Sequence, residues 1–133
     1  MSRSNYSDDY EYLDLYRANV HRTIHSKNGR AFLEELASTL DAMPSKRLIQ
    51  NDMLNSAGEA CAMGAVCRRR GQDVSRIDIY DRDQVGKILG ISGMLAAEIA
   101  YENDEGDLRW HETPEDRWAR MRQWVSAHLN TKV

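Results

Sequence analysis

The sequence predicts an all-α protein, a compact bundle of about six helices around a buried central helix at residues 57–70. Residues 60–67 carry no polar side chain, as expected for a helix that is buried on all sides. Before and after this stretch, apolar residues recur three and four positions apart, which is the period of an amphipathic helix. No pair of strands is evident, so the helices have to bury their apolar faces against one another.

Length and composition indicate one globular domain, residues 1–133. Of the 133 residues, 41% are hydrophobic and 29% are charged, which suits a domain that buries a core without disulfides. The polar residues 1–7 predict a loose N-terminal segment. No apolar run approaches the ~20 residues of a membrane span and no signal-peptide pattern is present, so we expect a soluble, cytoplasmic protein without a membrane partner. The net charge of −3 argues against a protein that binds nucleic acid over its whole surface, but it allows a local basic patch.

The first two helices are predicted from their apolar spacing. From Asp8 to Ile24 apolar residues fall three or four apart, and acids at the start favour the helix dipole. We expect Asn28 and Gly29 to break this helix. A second helix then runs to Met43 and ends before the following proline. Residues 45–56 mix short apolar and polar pieces and predict an irregular segment.

The central helix is predicted from Glu59 to Arg70, EACAMGAVCRRR, with Gly71 as its C-terminal stop. Cys61 and Cys67 lie six residues apart on this helix, so they point to different faces and cannot form a disulfide. We expect two free, buried thiols in a reducing compartment. The small residues on one side of the helix let neighbouring backbones approach closely.

Three further helices are predicted. Residues 71–80 form a connection, and two short helices at 81–90 and 92–102 follow it with a tight turn between them. The final helix has the clearest start, because Thr113 is a hydroxyl cap, Pro114 takes the first helical position and acids follow in the first turn. Its apolar stripe extends to Leu129.

Residues 84–99, QVGKILGISGMLAAEI, resemble the helix-turn-helix family, with Gly86 where the two helices touch and Ser92 as the cap of the second. The resemblance implies a second helix that meets base edges and phosphates in the major groove of DNA. Its early exposed positions would be Gly93, Met94, Ala97 and Glu98. These side chains do not attract phosphate, so we favour a helix-turn-helix-like pair at 81–102 that serves as a scaffold or protein-binding surface.

Acidic residues crowd the segment 98–116, which contains eight acids and one arginine, Arg109. Like charges four apart cost a helix roughly 0.3 kcal/mol, so the cluster predicts a surface that binds a basic partner. The alternative is a solvated segment whose last acids serve the start of the final helix. The alternate-residue spacing of a calcium loop is missing. The candidate partner-binding residues are Glu98, Glu102, Asp104, Glu105 and Asp107.

Basic residues concentrate elsewhere, above all at Arg68, Arg69 and Arg70. At the end of a helix these cations complement the dipole, and this is the simpler interpretation of the run. Together with Lys87 they are the candidate residues for an alternative, nucleic-acid-binding function.

No catalytic or metal site is predicted. His21 and His25 are four apart, which is zinc-ligand spacing, but Arg22 stands where a zinc protease helix needs glutamate. No third ligand is evident nearby, so we interpret the two histidines as a surface pair. The cysteines have no histidine at a suitable spacing for nucleophilic catalysis. We therefore expect a protein that is not an enzyme and has no cofactor.

Four segments together resemble a group of small proteins encoded in bacteriophages and prophages: EACAMGAVCRRRG, QVGKILGI, AAEIAYENDEG and ETPEDRWARMRQWV. The group shares a Cys-Ala-x-Gly-Ala core helix and a Thr-Pro-Glu-x-Arg-Trp final helix. The resemblance implies a phage origin and an accessory role in the cytoplasm of a bacterial host.

Small phage accessory proteins commonly act by stoichiometric binding, so the expected partner is a host protein or ribonucleoprotein complex with a basic surface. An anti-CRISPR-like inhibitor of a bacterial defence system is the leading interpretation. A nucleic-acid-binding regulator is the first alternative. The second is a structural or assembly protein that forms oligomers through its small-residue helix faces.

Overall fold

The structure is a computed structural model that describes residues 3–4, 13–106 and 112–130. Within these ranges the chain is all-α, as predicted, and contains one isolated antiparallel bridge, Leu54 to Ala60, but no strand. In the described part of the chain the helices are α1 Leu13–Ile24, α2 Lys27–Ala42, α3 Ala62–Arg70, α4 Arg82–Leu89, α5 Gly93–Glu105 and α6 Pro114–Leu129. None of them is both long enough and apolar enough to cross a lipid bilayer.

The break between α1 and α2 lies at Ser26 and not at Asn28–Gly29 as predicted. The Ser26 hydroxyl accepts a hydrogen bond from the Gly29 backbone N–H at 3.2 Å and caps α2. Gly29 is therefore inside the first turn, where a Cβ atom would collide with backbone carbonyl groups of the preceding helix. This glycine permits two helices to approach each other closely and does not form the turn.

The central helix is shorter than the predicted span of residues 57–70, because α3 begins at Ala62. The Asn55 side chain accepts hydrogen bonds from the backbone N–H groups of Ala57 (3.0 Å) and Glu59 (2.9 Å). This local turn competes with helix formation, and Cys61 becomes the N-cap instead of a helical residue. The C-terminal stop at Gly71 is confirmed, with φ of 75°.

The core is formed where α3 and α5 meet. Residues Ala62–Cys67 are buried, as predicted, and both cysteines are free and buried. α5 packs against α1, α3, α4 and α6, so it shares the central position with α3. The apolar stripe of α6 faces the same core, with Met121 and Val125 fully buried.

The predicted turn between α4 and α5 is confirmed. Gly90 ends α4 with φ of 78°, and the Ser92 hydroxyl caps α5 by accepting from the Leu95 N–H at 3.1 Å. α5 extends to Glu105, three residues beyond its predicted end. The capping box of α6 is also present, with Thr113 Oγ1 accepting from the Asp116 N–H at 3.0 Å.

The prediction of a loose segment at residues 1–7 is wrong for the two residues of it that the structure describes. Arg3 is 2% exposed and Ser4 is 1% exposed. Their side chains contact the last turn of α5, which is about a hundred residues away in the sequence.

Gly64 in α3 should be intolerant of any side chain. A Cβ atom there would collide with the backbone carbonyl of Met53, which cannot move as a flexible side chain can. We expect Gly64→Ala to lower the free energy of unfolding by about 3 kcal/mol or more, measured by urea denaturation. Gly58→Ala is the control, because its Cβ would meet open space and only its φ of 79° costs about 1 kcal/mol. Equal losses in the two variants would contradict this account.

Candidate functional site

Of the acids predicted to bind a partner, Glu102, Asp104 and Glu105 lie in the last turn of α5 and Glu98 lies near its middle, but these four are unequally exposed. Glu98 is 2% exposed, and the Asp104 side chain is also 2% exposed. Glu102 and Glu105 are half-buried, and Asp107 lies outside the described residues. The expectation of an accessible surface is therefore corrected at Glu98 and Asp104, because the fold packs both side chains inside the chain.

Asp104 is buried because Arg3 covers it. The Arg3 guanidinium donates through Nε and Nη2 to the two carboxylate oxygens, each at 2.8 Å, in a bidentate ion pair. Asp104 Oδ1 also accepts from the backbone N–H of Asn51 at 3.1 Å. Arg3 Nη1 donates to the backbone oxygen of Asp52 at 3.1 Å. One buried ion pair thus joins the N-terminal segment, the 51–52 loop and α5.

The neighbouring residue Asn103 completes this arrangement and is 1% exposed. Its side-chain oxygen accepts from the backbone N–H of Ala62 at 3.1 Å, at the start of α3. Its amide nitrogen donates to the backbone oxygen of Ile49 at 2.9 Å. Arg120 from α6 donates to the backbone oxygens of Glu102 and Asn103 and pairs with Glu112 at 2.7 Å. Arg120 therefore caps the C-terminal end of α5, where the helix dipole favours a cation.

The arginine run at the end of α3 divides into two kinds of residue. Arg70 forms a bidentate ion pair with Glu35, at 2.7 and 2.5 Å, and donates to the backbone oxygen of Leu89 at 3.0 Å. Arg68 donates to a backbone oxygen, and Arg69 donates to the hydroxyl groups of Ser38 and Thr39. In the described part of the chain, no carboxylate lies within ion-pair distance of Arg68 or Arg69. These two guanidinium groups are exposed at the end of α3.

Lys87 is exposed in the last turn of α4. Because Arg70 reaches the backbone oxygen of Leu89, the C-terminal ends of α3 and α4 are adjacent. The structure thus brings the four predicted basic residues to neighbouring helix ends, but an internal carboxylate holds Arg70.

α5 does not present the surface that a DNA-reading helix needs. Gly93 and Met94 are half-buried, and every residue from Leu95 to Ala100 is buried. A helix enclosed in this way cannot enter the major groove, which accommodates a helix only where one face is free. The helix-turn-helix-like pair is a structural element of the core.

The small-residue face of α3 is likewise used inside the chain. Gly64 and Ala65 are buried, and Gly64 lies directly against the backbone of Met53. The close approach predicted from these residues therefore takes place within one molecule. This leaves the same face of α3 unavailable for contacts between copies of the chain.

Three histidines come together at the ends of α1 and α6. His21 lies in the last turn of α1, His25 is the first residue after that helix, and His128 lies in the last turn of α6. One ring nitrogen of each lies within 4.8 Å of the others. Burial lowers the pKa of His128, and the nearby His21 and His25 lower it further to a smaller extent. The spacing of four makes His21 and His25 recognisable in the sequence. His128 is not recognisable in this way, because it is 103 positions from His25 and its place at the end of a helix is typical of any cation.

Comparison with known proteins adds no identification. No family model, no curated protein and no solved structure matches this chain. The resemblance to a phage-encoded group therefore rests on the sequence segments themselves.

The Arg70–Glu35 pair should make stability depend on pH. Hydrogen bonds from Arg70 hold the pKa of Glu35 below its usual value. An unfolded glutamate titrates near pH ~4.3, so the pair contributes fully above about pH 5 and loses its contribution as the pH falls through the lower folded-state pKa. We expect Arg70→Gln to reduce the free energy of unfolding near pH 6 by less than about 1 kcal/mol, because the Glu35 side chain is 35% exposed.

The measurement is urea denaturation of both proteins from near pH 6 down to about pH 2. The part of the difference that comes from the ion pair should disappear at the acid end, and the pH-independent part due to the Arg70–Leu89 hydrogen bond should remain. Arg68→Gln, which removes no ion pair, should show no pH-dependent difference. A difference that stays constant across the range would contradict the role assigned to the pair.

Proposed function

We propose that the protein is a phage-encoded, non-enzymatic accessory protein of the bacterial cytoplasm that binds a basic surface of a host complex stoichiometrically. The proposed binding surface is the acidic end of α5: Glu102 and Glu105 are its contact residues, Asp104 lies buried between them, and Asp107 is the next acid in the sequence. A defence complex of the CRISPR-effector type would present a suitable basic surface, because its channel binds nucleic acid. The proposal is therefore an anti-CRISPR-like inhibitor.

One observation carries this proposal: the acidic end of α5 already binds an arginine. Arg3 sits on Asp104 in the bidentate geometry by which proteins recognise guanidinium groups. The Arg3–Asp104 pair is itself neutral, so the half-buried carboxylates of Glu102 and Glu105 carry the negative charge at this end of the helix.

The rigidity of the surface also supports binding. The Asn103 side chain binds the backbone of Ala62 and Ile49, and Arg120 donates to the backbone oxygen of Asn103. The charged groups at the acidic end of α5 are therefore already positioned. A preorganised surface loses little conformational entropy when it binds. Complementary charge would mainly raise the association rate and make the affinity sensitive to salt.

The test is charge reversal at the two half-buried acids, Glu102→Lys with Glu105→Lys. Glu98→Lys is unsuitable because a lysine at that buried position would disturb the core. We expect the double variant to bind its partner at least about tenfold more weakly, because several Coulombic attractions become repulsions. The control is Glu34→Lys with Asp73→Lys, which changes the net charge equally at two exposed acids elsewhere.

Binding is measured by pull-down of the tagged protein from a bacterial lysate, with and without nuclease, followed by mass spectrometry and an affinity measurement on the captured partner. Circular dichroism checks that all variants are folded. A nuclease-resistant protein partner that is lost only in the Glu102/Glu105 variant supports the proposal. Undiminished binding by that variant contradicts it.

A second candidate function, nucleic-acid binding, is favoured by the exposed guanidinium groups of Arg68 and Arg69. Both line a shallow depression at the end of α2, and neither has a carboxylate partner among the described residues. Each of these two arginines, and Lys87 on the adjacent helix end, is a cation of the kind that contacts a phosphate of the nucleic-acid backbone.

Arg68→Ala with Arg69→Ala tests this function. If the two arginines contact phosphates, the variant should bind single- or double-stranded nucleic acid more weakly, and the salt-dependence slope should fall by about 2, one for each lost contact. Fluorescence anisotropy at several salt concentrations measures both effects. Arg22→Ala with Arg76→Ala, at exposed positions on other elements, is the control. No binding by the wild type even at low salt would exclude this function.

A further inference from the structure

We propose that His21, His25 and His128 form a binding site for one divalent transition-metal ion, with Zn²⁺ as the expected occupant. The proposal is independent of the partner-binding function above. It rests on the position of the three rings, on their ligand chemistry and on a buried ring nitrogen without a partner.

The geometry is close to that of a three-histidine site. The candidate ligand nitrogens all lie within 4.8 Å of one another. Zinc–nitrogen bonds of about 2.05 Å in tetrahedral geometry place ligand nitrogens about 3.3 Å apart. The rings would have to close by roughly 1.5 Å at most, which is the difference between these two distances. Side-chain rotations can achieve this, because His21 is exposed and the other two rings are half-buried.

The helices hold the ligands in a suitable arrangement. His21 is in the last turn of α1 and His25 directly follows that helix. The backbone N–H of His25 donates to the His21 oxygen at 3.3 Å, so the helical turn continues and both side chains project from the same face. His128 approaches from α6, with ring centroids 5.4 Å from His21 and 5.8 Å from His25. The rings of His128 and Trp124 pack in a T-shaped arrangement, with centroids 4.7 Å apart.

A buried, unpartnered atom gives independent support. Nδ1 of His25 is buried and has no hydrogen-bond partner. Buried polar side-chain atoms are normally paired, since leaving one unpaired costs free energy. Coordination satisfies this nitrogen if His25 binds the metal through Nδ1, and among the described residues no hydrogen-bonding group does so.

The chemistry of the three ligands selects the metal. Imidazole nitrogen suits Zn²⁺, Cu²⁺ and Ni²⁺, whereas Mg²⁺ and Ca²⁺ need oxygen ligands, which the three histidines do not supply. The buried carboxylate of Glu98 acts electrostatically on His128 and would offset part of the added positive charge. Three protein ligands leave a fourth position for water or for a ligand from a bound molecule.

The test uses the full chain without an affinity tag, stripped by a chelator and titrated with Zn²⁺ in a calorimeter. We expect one Zn²⁺ per chain and a higher melting temperature when it is bound, because the metal binds the folded state. Co²⁺ in its place should give the visible absorption of a tetrahedral nitrogen site, and excess Mg²⁺ should not compete.

The variants are His21→Gln and His128→Gln, with His111→Gln as the control that removes a histidine outside the proposed ligand set. We expect each ligand variant to weaken Zn²⁺ binding at least about tenfold and the control to bind as the wild type does. His21 is exposed, so its replacement should leave the metal-free fold intact even if the His128 variant is less stable. The absence of Zn²⁺ binding by the wild type, or equal binding by wild type and both ligand variants, would overturn the proposal.

Discussion

Asp104 and Asn103 stand side by side in the last turn of α5, and their side chains hold separate pieces of the chain together. Asp104 binds Arg3 and the backbone of the 51–52 loop, and Asn103 binds the start of α3 and the backbone oxygen of Ile49. These groups are almost completely buried, so each hydrogen bond forms in a medium where an unpaired partner is costly. Removing either member of the buried ion pair would cost roughly 3–5 kcal/mol, a large part of the stability of a small domain.

This polar junction explains why the irregular segment between α2 and α3 has a defined structure. The segment contains no strand or helix among its described residues, and its own backbone hydrogen bonds, such as Ile49 N–H to the Ala60 oxygen at 3.0 Å and Cys61 N–H to the Met53 oxygen at 3.1 Å, do not form a continuous ladder. Asn103, Asp104 and Arg3 supply partners from outside, and Arg117 of α6 donates to the backbone oxygen of Leu48 at 2.9 Å. Charged and amide side chains from other parts of the chain thus pair with backbone groups of this segment that a strand or a helix would pair internally.

The sequence was sufficient for what depends on short-range pattern. Apolar periodicity located the helices, and the Thr113–Pro114 start and the Gly90 turn were correct because capping chemistry is local. The errors also have local causes. The Ser26 hydroxyl caps α2, so this helix begins before Asn28–Gly29, where the sequence pattern predicts a turn. The Asn55 side chain forms a turn with the following backbone, so α3 begins later than predicted.

What the sequence could not supply is long-range pairing. Arg3 is 101 positions from Asp104, and neither residue differs by type or spacing from an ordinary surface charge. The same holds for His128, which is brought to His21 and His25 only by the packing of the first and last helices. Only the folded chain shows which charge is buried, so a cluster of acids in sequence does not by itself define an acidic surface.

Buried charge also limits how α5 can contribute to function. Well-packed apolar residues would often stabilise a core as much as a buried ion pair does, so such a pair is weak evidence for stability but can fix one arrangement of the chain. Here the pair fixes the last turn of α5, and with it the direction in which Glu102 and Glu105 project. Glu98 lies six residues earlier, about 9 Å along the helix, where its carboxylate acts on the histidine cluster. The acids of α5 therefore differ: Glu98 and Asp104 act inside the fold, and Glu102 and Glu105 are the half-buried acids left for the proposed binding surface.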